Sequence, residues 1–432
     1  MSTFRHAVKK VIPTGMFKKI EPYGHLGEGV ILNTMAGFPS KGLKVIGVTG
    51  TNGKTTTCFM IHRMLHEAGY KVGLMTTVAY GVGLDIKPQV EHMTSVPVPV
   101  FLKRIRELKA QGVEWLVLET TSHALAQHRV WGVPYSIAVV TNITHEHLDY
   151  HGTFERYVAA KKRLFSITNQ NRKGMRLGII NADESPAEEF AGAIKNPVLY
   201  GVENGDIRAA NIQLTSKSVQ YEATIEGKTY HIRCHIPGSF NVYNSLAAVC
   251  VGRAVGLTQE EIERGIAALD SVEGRMTRID EGQKFSVIVD FAHTPDSFEK
   301  LFKDIKPVVK GKLIVLFGSA GRRDEEKRGI QGRLAGEYAD EVVLTEEDDR
   351  DIDGNKILEE IAAGAEGAGK KRKKDLFLVH DRTEAIRFAL SRAKEGDTVL
   401  LLGKGHEKTI ERADGEHPWD EIGTAHSILR EI

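Results

Sequence analysis

The stretch Gly47-Val48-Thr49-Gly50-Thr51-Asn52-Gly53-Lys54-Thr55-Thr56 decides how this sequence is interpreted. It follows the apolar run Leu43–Val48 and precedes a helical pattern with apolar residues on one side. This order predicts a strand, a glycine-rich turn and the start of a helix. Backbone N–H groups in such a turn face an anion, and the helix N-terminus adds partial positive charge. The stretch therefore predicts a phosphate-binding loop.

Individual residues of this loop fit nucleotide chemistry. Gly50 and Gly53 allow positive φ and a close approach of the backbone to phosphate. Lys54 can reach the β- and γ-phosphates of a nucleotide, and the Thr55 hydroxyl can bind Mg²⁺. Val48 stands where the usual G-x-x-x-x-G-K-[ST] pattern has its first glycine, so the loop is a narrower variant. The predicted nucleotide-binding set also includes Thr51, Asn52 and Thr56.

The composition is that of a globular protein with balanced charge. The 432 residues suffice for two or three domains, and 58 Lys plus Arg against 57 Asp plus Glu give a formal net charge of +1. This balance gives no indication of a nucleic-acid partner. The three cysteines lack metal-ligand spacing and are too few for a disulfide framework. We find neither a signal peptide nor an apolar run of the roughly 18–20 residues that cross a membrane, and we expect a cytoplasmic protein.

Strand and helix signals alternate along most of the chain, which predicts parallel sheets flanked by helices. The first set of predicted strands is Leu43–Val48, Lys71–Thr77, Trp115–Glu119, Ile137–Thr141 and Leu177–Asn181. The second set begins after Gly274 and comprises Phe285–Asp290, Leu313–Phe317, Glu341–Leu344, Leu376–His380 and Thr398–Leu402. Residues 208–236 alternate polar and apolar side chains instead, which predicts a small antiparallel section.

We therefore predict an α/β fold with two main domains. Residues 44–273 form a central P-loop domain with a mostly parallel sheet, and residues 274–432 form a Rossmann-like α/β domain. Residues 1–43 are too short for an independent domain, and lysines at positions 9, 10, 18 and 19 flank short apolar pieces. One interpretation is that this segment packs as one or two helices on the central domain. The other is a weak contact of a basic, amphipathic segment with a membrane surface.

Polar side chains follow two of the predicted strands, where catalytic groups of open α/β sheets gather. Glu119 ends the strand Trp115–Glu119, and His147 follows the strand Ile137–Thr141. Because Mg²⁺ prefers oxygen ligands, Glu119 and Thr55 suit a metal ion that bridges phosphates. His147 is a less usual Mg²⁺ ligand, so chemistry alone leaves a structural hydrogen-bonding role equally open.

Eight stretches in a fixed order resemble the Mur ligases, ATP-dependent enzymes that form amide bonds in peptidoglycan precursors. They are Gly47–Thr56, Glu119–Val130, Thr141–Gly152, Gly238–Ala248, Gly274-Arg275-Met276, Asp290–Asp296, Gly318–Arg328 and Gly403–Glu407. Within the family the sequence is most similar to the members that add a diamino acid to UDP-N-acetylmuramoyl-L-alanyl-D-glutamate. The alternative is a related amide ligase acting on another carboxylate, such as folate with glutamate.

The resemblance implies ATP and two Mg²⁺ ions as cofactors. It assigns the first Mg²⁺ to Thr55 and Glu119, and the second to Glu119, His147 and Lys161. The family carbamylates the lysine that matches Lys161, which would give N6-carboxylysine, and Lys162 is the competing position. A free ammonium would repel the metal, whereas a carbamate is an anionic ligand with two oxygens.

The resemblance also implies the remaining site residues. It assigns Asn244 to the adenine, Asp290 to the ribose and Arg275 to the γ-phosphate when the domains close. The implied catalytic residues are Lys54, Glu119, His147, Lys161 and Arg275. The implied contacts to the muramoyl-peptide acceptor are Thr94, Thr121, Gln127 and Arg129. The implied contacts to the amino acid are Arg323, Asp348, Asp349, Arg350, Gly403 and Glu407.

Two features depart from the family pattern. Glu347-Asp348-Asp349-Arg350 stands where diaminopimelate-adding members have Asp-Asn-Pro-Arg. The retained Arg350 can pair bidentately with the extra carboxylate of diaminopimelate, whereas the added acidic charge suits lysine or ornithine better. We expect meso-diaminopimelate as the amino acid, with L-lysine as the second choice. Residues 1–43 replace the usual uridine-nucleotide domain, which leaves open whether the acceptor is UDP-linked, and we expect a monomer.

Overall fold

A computed structural model describes residues 14–89, 96–144, 146–215 and 217–432, and these residues form two compact units. The first unit holds the described residues up to Ala210 together with Glu222–Ile232 and Tyr243–Ala268. The second unit holds Asn211–Tyr221, Arg233–Val242 and Leu269–Ile432. The domain limits 44–273 and 274–432 stay a prediction.

Most of the predicted strands are present, and the predicted α/β fold class is confirmed. The strands of the larger sheet are β1 (Lys44–Thr49), β2 (Val72–Met75), β3 (Ala79–Val82), β4 (Asp85–Pro88), β5 (Trp115–Glu119), β6 (Tyr135–Val140), β7 (Leu177–Asn181), β8 (Asn196–Gly201), β9 (Ile207–Leu214), β10 (Val219–Ile225) and β11 (Lys228–Cys234). Their order is β11-β10-β9-β8-β7-β6-β1-β5-β2-β3-β4. The strands from β8 to β2 run parallel, which places the buried apolar strand β1 near the middle of the sheet.

Helices cover this sheet because their apolar faces need a partner. They are α1 (Thr14–Met35), α2 (Lys54–Glu67), α3 (Val98–Ala110), α4 (Ser122–Ala126), α5 (Leu148–His151), α6 (Phe154–Gln170), α7 (Ala187–Ala191), α8 (Phe240–Val255) and α9 (Gln259–Ala267). The α9 helix begins with a capping box, in which Thr258 and Glu261 exchange hydrogen bonds with each other's backbone N–H. The α1 helix lies within the first unit, where Asn33 donates to the Trp131 carbonyl at 3.2 Å.

The second unit has its own sheet, which is parallel except for the antiparallel pairing of its first two strands. Its strands are β12 (Thr277–Ile279), β13 (Ser286–Asp290), β14 (Leu313–Phe317), β15 (Glu341–Leu344), β16 (Leu376–Leu378) and β17 (Thr398–Leu402), in the order β12-β13-β17-β14-β15-β16. A separate hairpin joins β18 (Thr409–Arg412) to β19 (Gly415–Pro418). The helices are α10 (Pro295–Ile305), α11 (Glu326–Tyr338), α12 (Gly354–Gly367), α13 (Arg382–Arg392) and α14 (Glu421–Glu431), with a 3₁₀ turn at Lys306–Val308.

Sequence reasoning missed the short and polar strands. The β3–β4 hairpin is half exposed, and β18 and β19 carry charged side chains, so neither shows a strong apolar alternation. In the part of the chain that the structure describes, no helix combines the length and apolarity that a membrane span requires.

Candidate active site

Three neighbouring parallel strands bring the predicted catalytic stretches to one edge of the larger sheet. The β1 strand pairs with β5, with Val48 opposite Glu119, and with β6, with Thr49 opposite Val140. Carboxyl ends of parallel strands meet at the same edge. The phosphate loop after β1, Glu119 at the end of β5 and the segment after β6 therefore lie side by side.

The segment after β6 holds the phosphate loop in shape. The Thr51 backbone N–H donates to the Asn142 carbonyl at 2.8 Å, and the Asn52 N–H donates to Asn142 Oδ1 at 2.7 Å. The Thr141 hydroxyl donates to the Asn52 carbonyl at 2.6 Å. These bonds fix the backbone conformation of the loop, so Thr141 and Asn142 are positioning residues. Neither residue was singled out from the sequence.

The two loop glycines are required by both conformation and space. Gly53 has φ of 79°, and a Cβ there would lie 2.2 Å from Asn244 Oδ1. Gly50 has φ of 151°, and its Cβ would lie 1.9 Å from Thr141 Oγ1. Any other residue at either position would displace a neighbouring polar side chain. The contact also places Asn244, the predicted adenine contact, directly against the loop.

Lys54 and Thr55 begin α2, and their side chains reach the phosphate loop and Glu119, respectively. Lys54 Nζ donates to the carbonyls of Gly50 at 3.0 Å and Thr51 at 2.6 Å, so its ammonium lies within the loop. The Thr55 hydroxyl donates to Glu119 Oε2 at 3.0 Å, and both residues are buried. The structure thus brings together the hydroxyl and the carboxylate that sequence reasoning assigned to one metal ion.

Lys161 extends from α6 into the same loop, and only 2% of it is exposed. Its Nζ donates to the Gly50 carbonyl at 2.5 Å, the same oxygen that Lys54 contacts. Burial, and then the charge of Lys54, lower the pKa of Lys161 well below its ordinary value. A neutral amine is the form that reacts with carbon dioxide, so this environment favours carbamylation. Lys162 instead pairs with Glu189 at 3.0 Å on the surface.

His147 lies in an aromatic cluster beside Lys161. Its ring centroid is 4.7 Å from that of His123 and 6.3 Å from that of Tyr157, and Lys161 Nζ lies 4.5 Å from the Tyr157 ring centroid. His147 also has a positive φ of 57°, which is uncommon for a residue other than glycine. Such a conformation costs free energy, so the surrounding contacts must hold His147 in place.

The donor set fits Mg²⁺. Thr55 and Glu119 supply a hydroxyl and a carboxylate oxygen already in contact, which are ligands that Mg²⁺ prefers. Two lysine nitrogens share the Gly50 carbonyl, an arrangement that is unfavourable while both are cationic. Conversion of Lys161 to a carbamate would replace this repulsion with attraction to Lys54 and would add anionic oxygens. Glu146, whose charge acts on Lys161, is a further carboxylate that sequence reasoning missed.

The predicted acceptor contacts that the structure describes flank α4, in the segment that follows Glu119. Thr121 caps α4 by accepting the Ala124 N–H at 3.1 Å. Gln127 is buried, with its Oε1 atom unbonded, and Arg129 lines a small cavity that also includes Thr76 and Arg104. Thr94 lies outside the described residues.

In the second unit, Asp290 and Arg275 are close to one another. Asp290 accepts the N–H groups of Met276 at 2.7 Å and Ala292 at 2.8 Å through its two oxygens. Burial raises the pKa of Asp290, and the charge of Arg275 opposes this shift. Arg275 stacks on Phe291 at 4.6 Å from the ring centroid. Asp290 therefore shapes the backbone around Arg275, in addition to its predicted contact with ribose.

The predicted amino-acid residues also gather in the second unit. The Gly321 N–H donates to the Asp348 carbonyl at 2.8 Å, which joins the segment before Arg323 to the stretch Glu347–Arg350. Lys404, which follows Gly403, lies between Asp348 at 2.9 Å and Glu407 at 2.7 Å. Arg323 is exposed. The structure thus brings Asp348 and Glu407, which are 59 positions apart in the chain, to the same lysine.

Comparison with known proteins identifies the family. The Mur ligase middle domain matches residues 48–252, and the Mur ligase, glutamate ligase domain matches residues 274–405. The UDP-N-acetylmuramyl-tripeptide synthetase of Roseiflexus sp. (strain RS-1) is 39% identical over 408 residues, which are 92% of this chain and 80% of that relative.

A second relative and a solved structure agree. The UDP-N-acetylmuramoyl-L-alanyl-D-glutamate–2,6-diaminopimelate ligase of Geobacillus thermodenitrificans (strain NG80-2) is 36% identical, over 95% of this chain and 84% of that relative. A solved structure of a ligase of the same name is 29% identical, has a TM-score of 0.63, and covers 90% of this chain and 79% of that chain. The chain therefore belongs to the Mur ligase family of ATP-dependent ligases.

Proposed function

We propose that this ligase adds a diamino acid to UDP-N-acetylmuramoyl-L-alanyl-D-glutamate or a similar muramoyl dipeptide, with formation of ADP and phosphate. The observation that carries the proposal is the cluster at the sheet edge, where Thr55 contacts Glu119 and the buried Lys161 meets Lys54 at the Gly50 carbonyl. Relatives named for this reaction support the choice of acceptor and give meso-diaminopimelate as the first amino acid to test, before L-lysine.

In the first step, a carboxylate oxygen of the acceptor attacks the γ-phosphorus of ATP, and the bond to the bridging oxygen of ADP breaks. This gives an acyl phosphate and ADP. Negative charge spreads over the transferred group, so positioning and electrostatics supply most of the rate. Lys54 is placed to neutralise this charge, the N–H groups of the loop orient the phosphates, and Arg275 is proposed as a further contact to the γ-phosphate.

In the second step, the amine of the incoming amino acid attacks the acyl carbon, phosphate leaves, and the nitrogen loses a proton. The amine must be neutral to attack. The His293 ring is the base we propose to test first, since it lies on the loop after Asp290, and its Nδ1 is within hydrogen-bond distance of the Phe291 carbonyl at 2.8 Å.

Two Mg²⁺ ions held by Thr55, Glu119, His147 and carbamylated Lys161 would supply additional neutralisation of phosphate charge. The carbamate can be detected directly by ¹³C NMR, without an activity assay. Protein equilibrated with ¹³C-bicarbonate should give a carbamate carbon resonance that Lys161→Ala removes and Lys162→Ala leaves. A resonance that survives in Lys161→Ala would show that the modification lies elsewhere.

Product analysis tests the reaction itself. ADP and phosphate should be released only when ATP, acceptor and amino acid are all present. Folate with glutamate, supplied in parallel, is the control for the related ligase reaction. Release of AMP and pyrophosphate, or turnover with folate alone, would refute the proposal.

We also propose a monomeric, cytoplasmic enzyme, with residues 1–43 as a segment that makes at most a weak contact with membranes. Light scattering of the purified chain, and its sedimentation with anionic vesicles, test these two points separately. A stable dimer would refute the first, and strong sedimentation with the vesicles at physiological ionic strength would refute the second.

A further inference from the structure

We propose that the amino-acid site accepts a diamino acid whose side chain ends in an ammonium without a second carboxylate, as in lysine or ornithine, in preference to diaminopimelate. This inference rests on the proposed function, because it concerns the same site, and it reverses the order of the two candidate amino acids that the names of the relatives give. It follows from the way the charges around Arg350 and Asp348 are already paired.

Two hydrogen-bond donors hold the Asp348 carboxylate in place. Its Oδ1 atom accepts the Lys404 ammonium at 2.9 Å and the Glu411 backbone N–H at 2.8 Å. The Asp348 side chain is 17% exposed, so these partners do not enclose it fully. An asparagine at this position could donate a hydrogen bond to a carboxylate of the substrate, whereas an aspartate repels it.

Other carboxylates add to this charge. Lys404, which is 1% exposed, also contacts Glu407 at 2.7 Å. Gly403 has φ of 102°, and a Cβ there would lie 2.7 Å from Glu347 Oε2, so the glycine allows the Glu347 carboxylate to lie against the loop. Two carboxylates, those of Asp348 and Glu407, thus contact a single ammonium, and Glu347 lies against the same loop, where its charge also acts on the buried Arg382. A second ammonium, carried by the substrate, would complete the charge balance.

Arg350, the group expected to bind the extra carboxylate of diaminopimelate, already has partners. Its Nε donates to Glu411 Oε2 at 2.7 Å, and its Nη1 donates to the Gly321 carbonyl at 2.5 Å. A bidentate pair with a carboxylate uses two neighbouring nitrogens of the guanidinium. A pair through Nε and Nη2 would have to displace Glu411, and a pair through Nη1 and Nη2 would have to use the second N–H of Nη1, beside the Gly321 contact.

Backbone contacts keep Arg350 in this arrangement. The Arg350 N–H donates to the Glu411 carbonyl at 3.0 Å, and Arg350 itself has a positive φ of 58°. Every amino acid also brings an α-carboxylate that needs a cation. We assign the exposed Arg323 to that common group, which leaves Arg350 as the arginine that would distinguish the two classes of substrate.

Asp349 does not add to the charge at the substrate side. It is buried and contacts His380 Nε2 at 2.8 Å. Together with Glu346, these residues could be taken for a metal site, because their ligand atoms lie within 4.8 Å of one another. Arg412 already pairs with both oxygens of Glu346, at 2.7 and 2.9 Å, so we assign this cluster to ion pairing in the fold.

The experiment measures kcat/KM of the full chain for L-lysine, L-ornithine and meso-diaminopimelate, with ATP and UDP-N-acetylmuramoyl-L-alanyl-D-glutamate. We expect the better of the two simple diamino acids to exceed meso-diaminopimelate by about 10-fold or more. Glu411→Gln, which releases Arg350, and Asp348→Asn, which removes the repelling charge, should each shift this ratio toward meso-diaminopimelate by about 5-fold or more.

Glu337→Gln is the control, because Glu337 is about as exposed as Glu411, at 42% and 44%, and pairs with Arg333 in the same unit at a similar distance of 2.6 Å. Its substrate ratio should equal that of the wild-type chain. A wild-type preference for meso-diaminopimelate would overturn this inference and leave the proposed function intact. If Asp348→Asn fails to fold, an unchanged ratio in Glu411→Gln is sufficient to overturn it. Absence of ADP release with all three amino acids would instead refute the proposed function.

Discussion

Replacement of Gly53 with alanine tests whether the loop after β1 is the nucleotide cradle. Gly53 has φ of 79°, a region that costs an alanine about 1–2 kcal/mol. The new methyl group would also lie 2.2 Å from Asn244 Oδ1 and would displace it from the Thr57 hydroxyl, which now donates to it at 3.3 Å. Loss of that bond adds about 1 kcal/mol, so Gly53→Ala should lower the free energy of unfolding by about 2–3 kcal/mol.

Gly69→Ala separates conformational strain from the contact with Asn244. Gly69 follows the same helix, has φ of 88°, and has open space where the methyl group would lie. It should therefore lose only about 1–2 kcal/mol of stability and bind ATP as the wild-type chain does. Urea unfolding measures the stability of both variants, and calorimetric titration with ATP measures their affinity.

The displaced Asn244 and the altered loop should weaken ATP binding by Gly53→Ala about 10-fold or more, which corresponds to about 1.4 kcal/mol. Wild-type ATP affinity in Gly53→Ala, combined with the same stability as Gly69→Ala, would refute both the cradle and the role of Asn244.

Three further changes have definite expected results. Lys161→Ala should abolish turnover. Added bicarbonate should not restore the activity of this variant, whereas a short added carboxylate should restore part of it. Full activity of the variant would exclude the carbamate. Glu421→Ala should destabilise the second unit by about 3–5 kcal/mol in urea unfolding, because the buried Arg382 loses the carboxylate with which it now pairs at 2.7 Å. The control is Glu337→Ala, which removes an exposed pair and should cost less than about 1 kcal/mol. A similarly small loss in Glu421→Ala would contradict the prediction. Burial lowers the pKa of His62 from 6.5 to about 4. Between pH 6.5 and pH 4 the unfolded chain therefore binds more protons at this residue than the folded chain does. The free energy of unfolding should fall by up to about 3 kcal/mol as the pH drops through this range. His62→Gln should reduce this dependence on pH, and an unchanged slope in that variant would show that other groups cause it.

The sequence was most informative where one short stretch determines its own structure. The order of strand, glycine-rich turn and Lys54 fixes a phosphate loop by local geometry, and Glu119 could be placed because it ends an apolar run beside that loop. The pairing of Val48 with Glu119 then brings these residues together. Buried parallel strands such as β14 and β17 were also predictable, since nearly every residue in them is apolar.

Contacts between distant segments were not predictable in the same way. Nothing local to Asn142 shows that its carbonyl and side chain hold the loop at Thr51 and Asn52. Glu411 lies 61 positions from Arg350, in a strand too polar to be recognised, yet it determines whether that arginine is available to a substrate. Local patterns identify the chemical groups, whereas the pairing of charges depends on tertiary structure.

The central claim is that the acceptor carboxylate becomes phosphorylated before the amine attacks it. The most direct measurement uses acceptor labelled with ¹⁸O in the reacting carboxylate, followed by mass analysis of the phosphate released during turnover with amino acid and ATP. The account predicts that each phosphate molecule carries a single ¹⁸O atom from the acceptor, because that oxygen leaves with the phosphoryl group. Phosphate without ¹⁸O, formed at the same rate as the amide product, would contradict it.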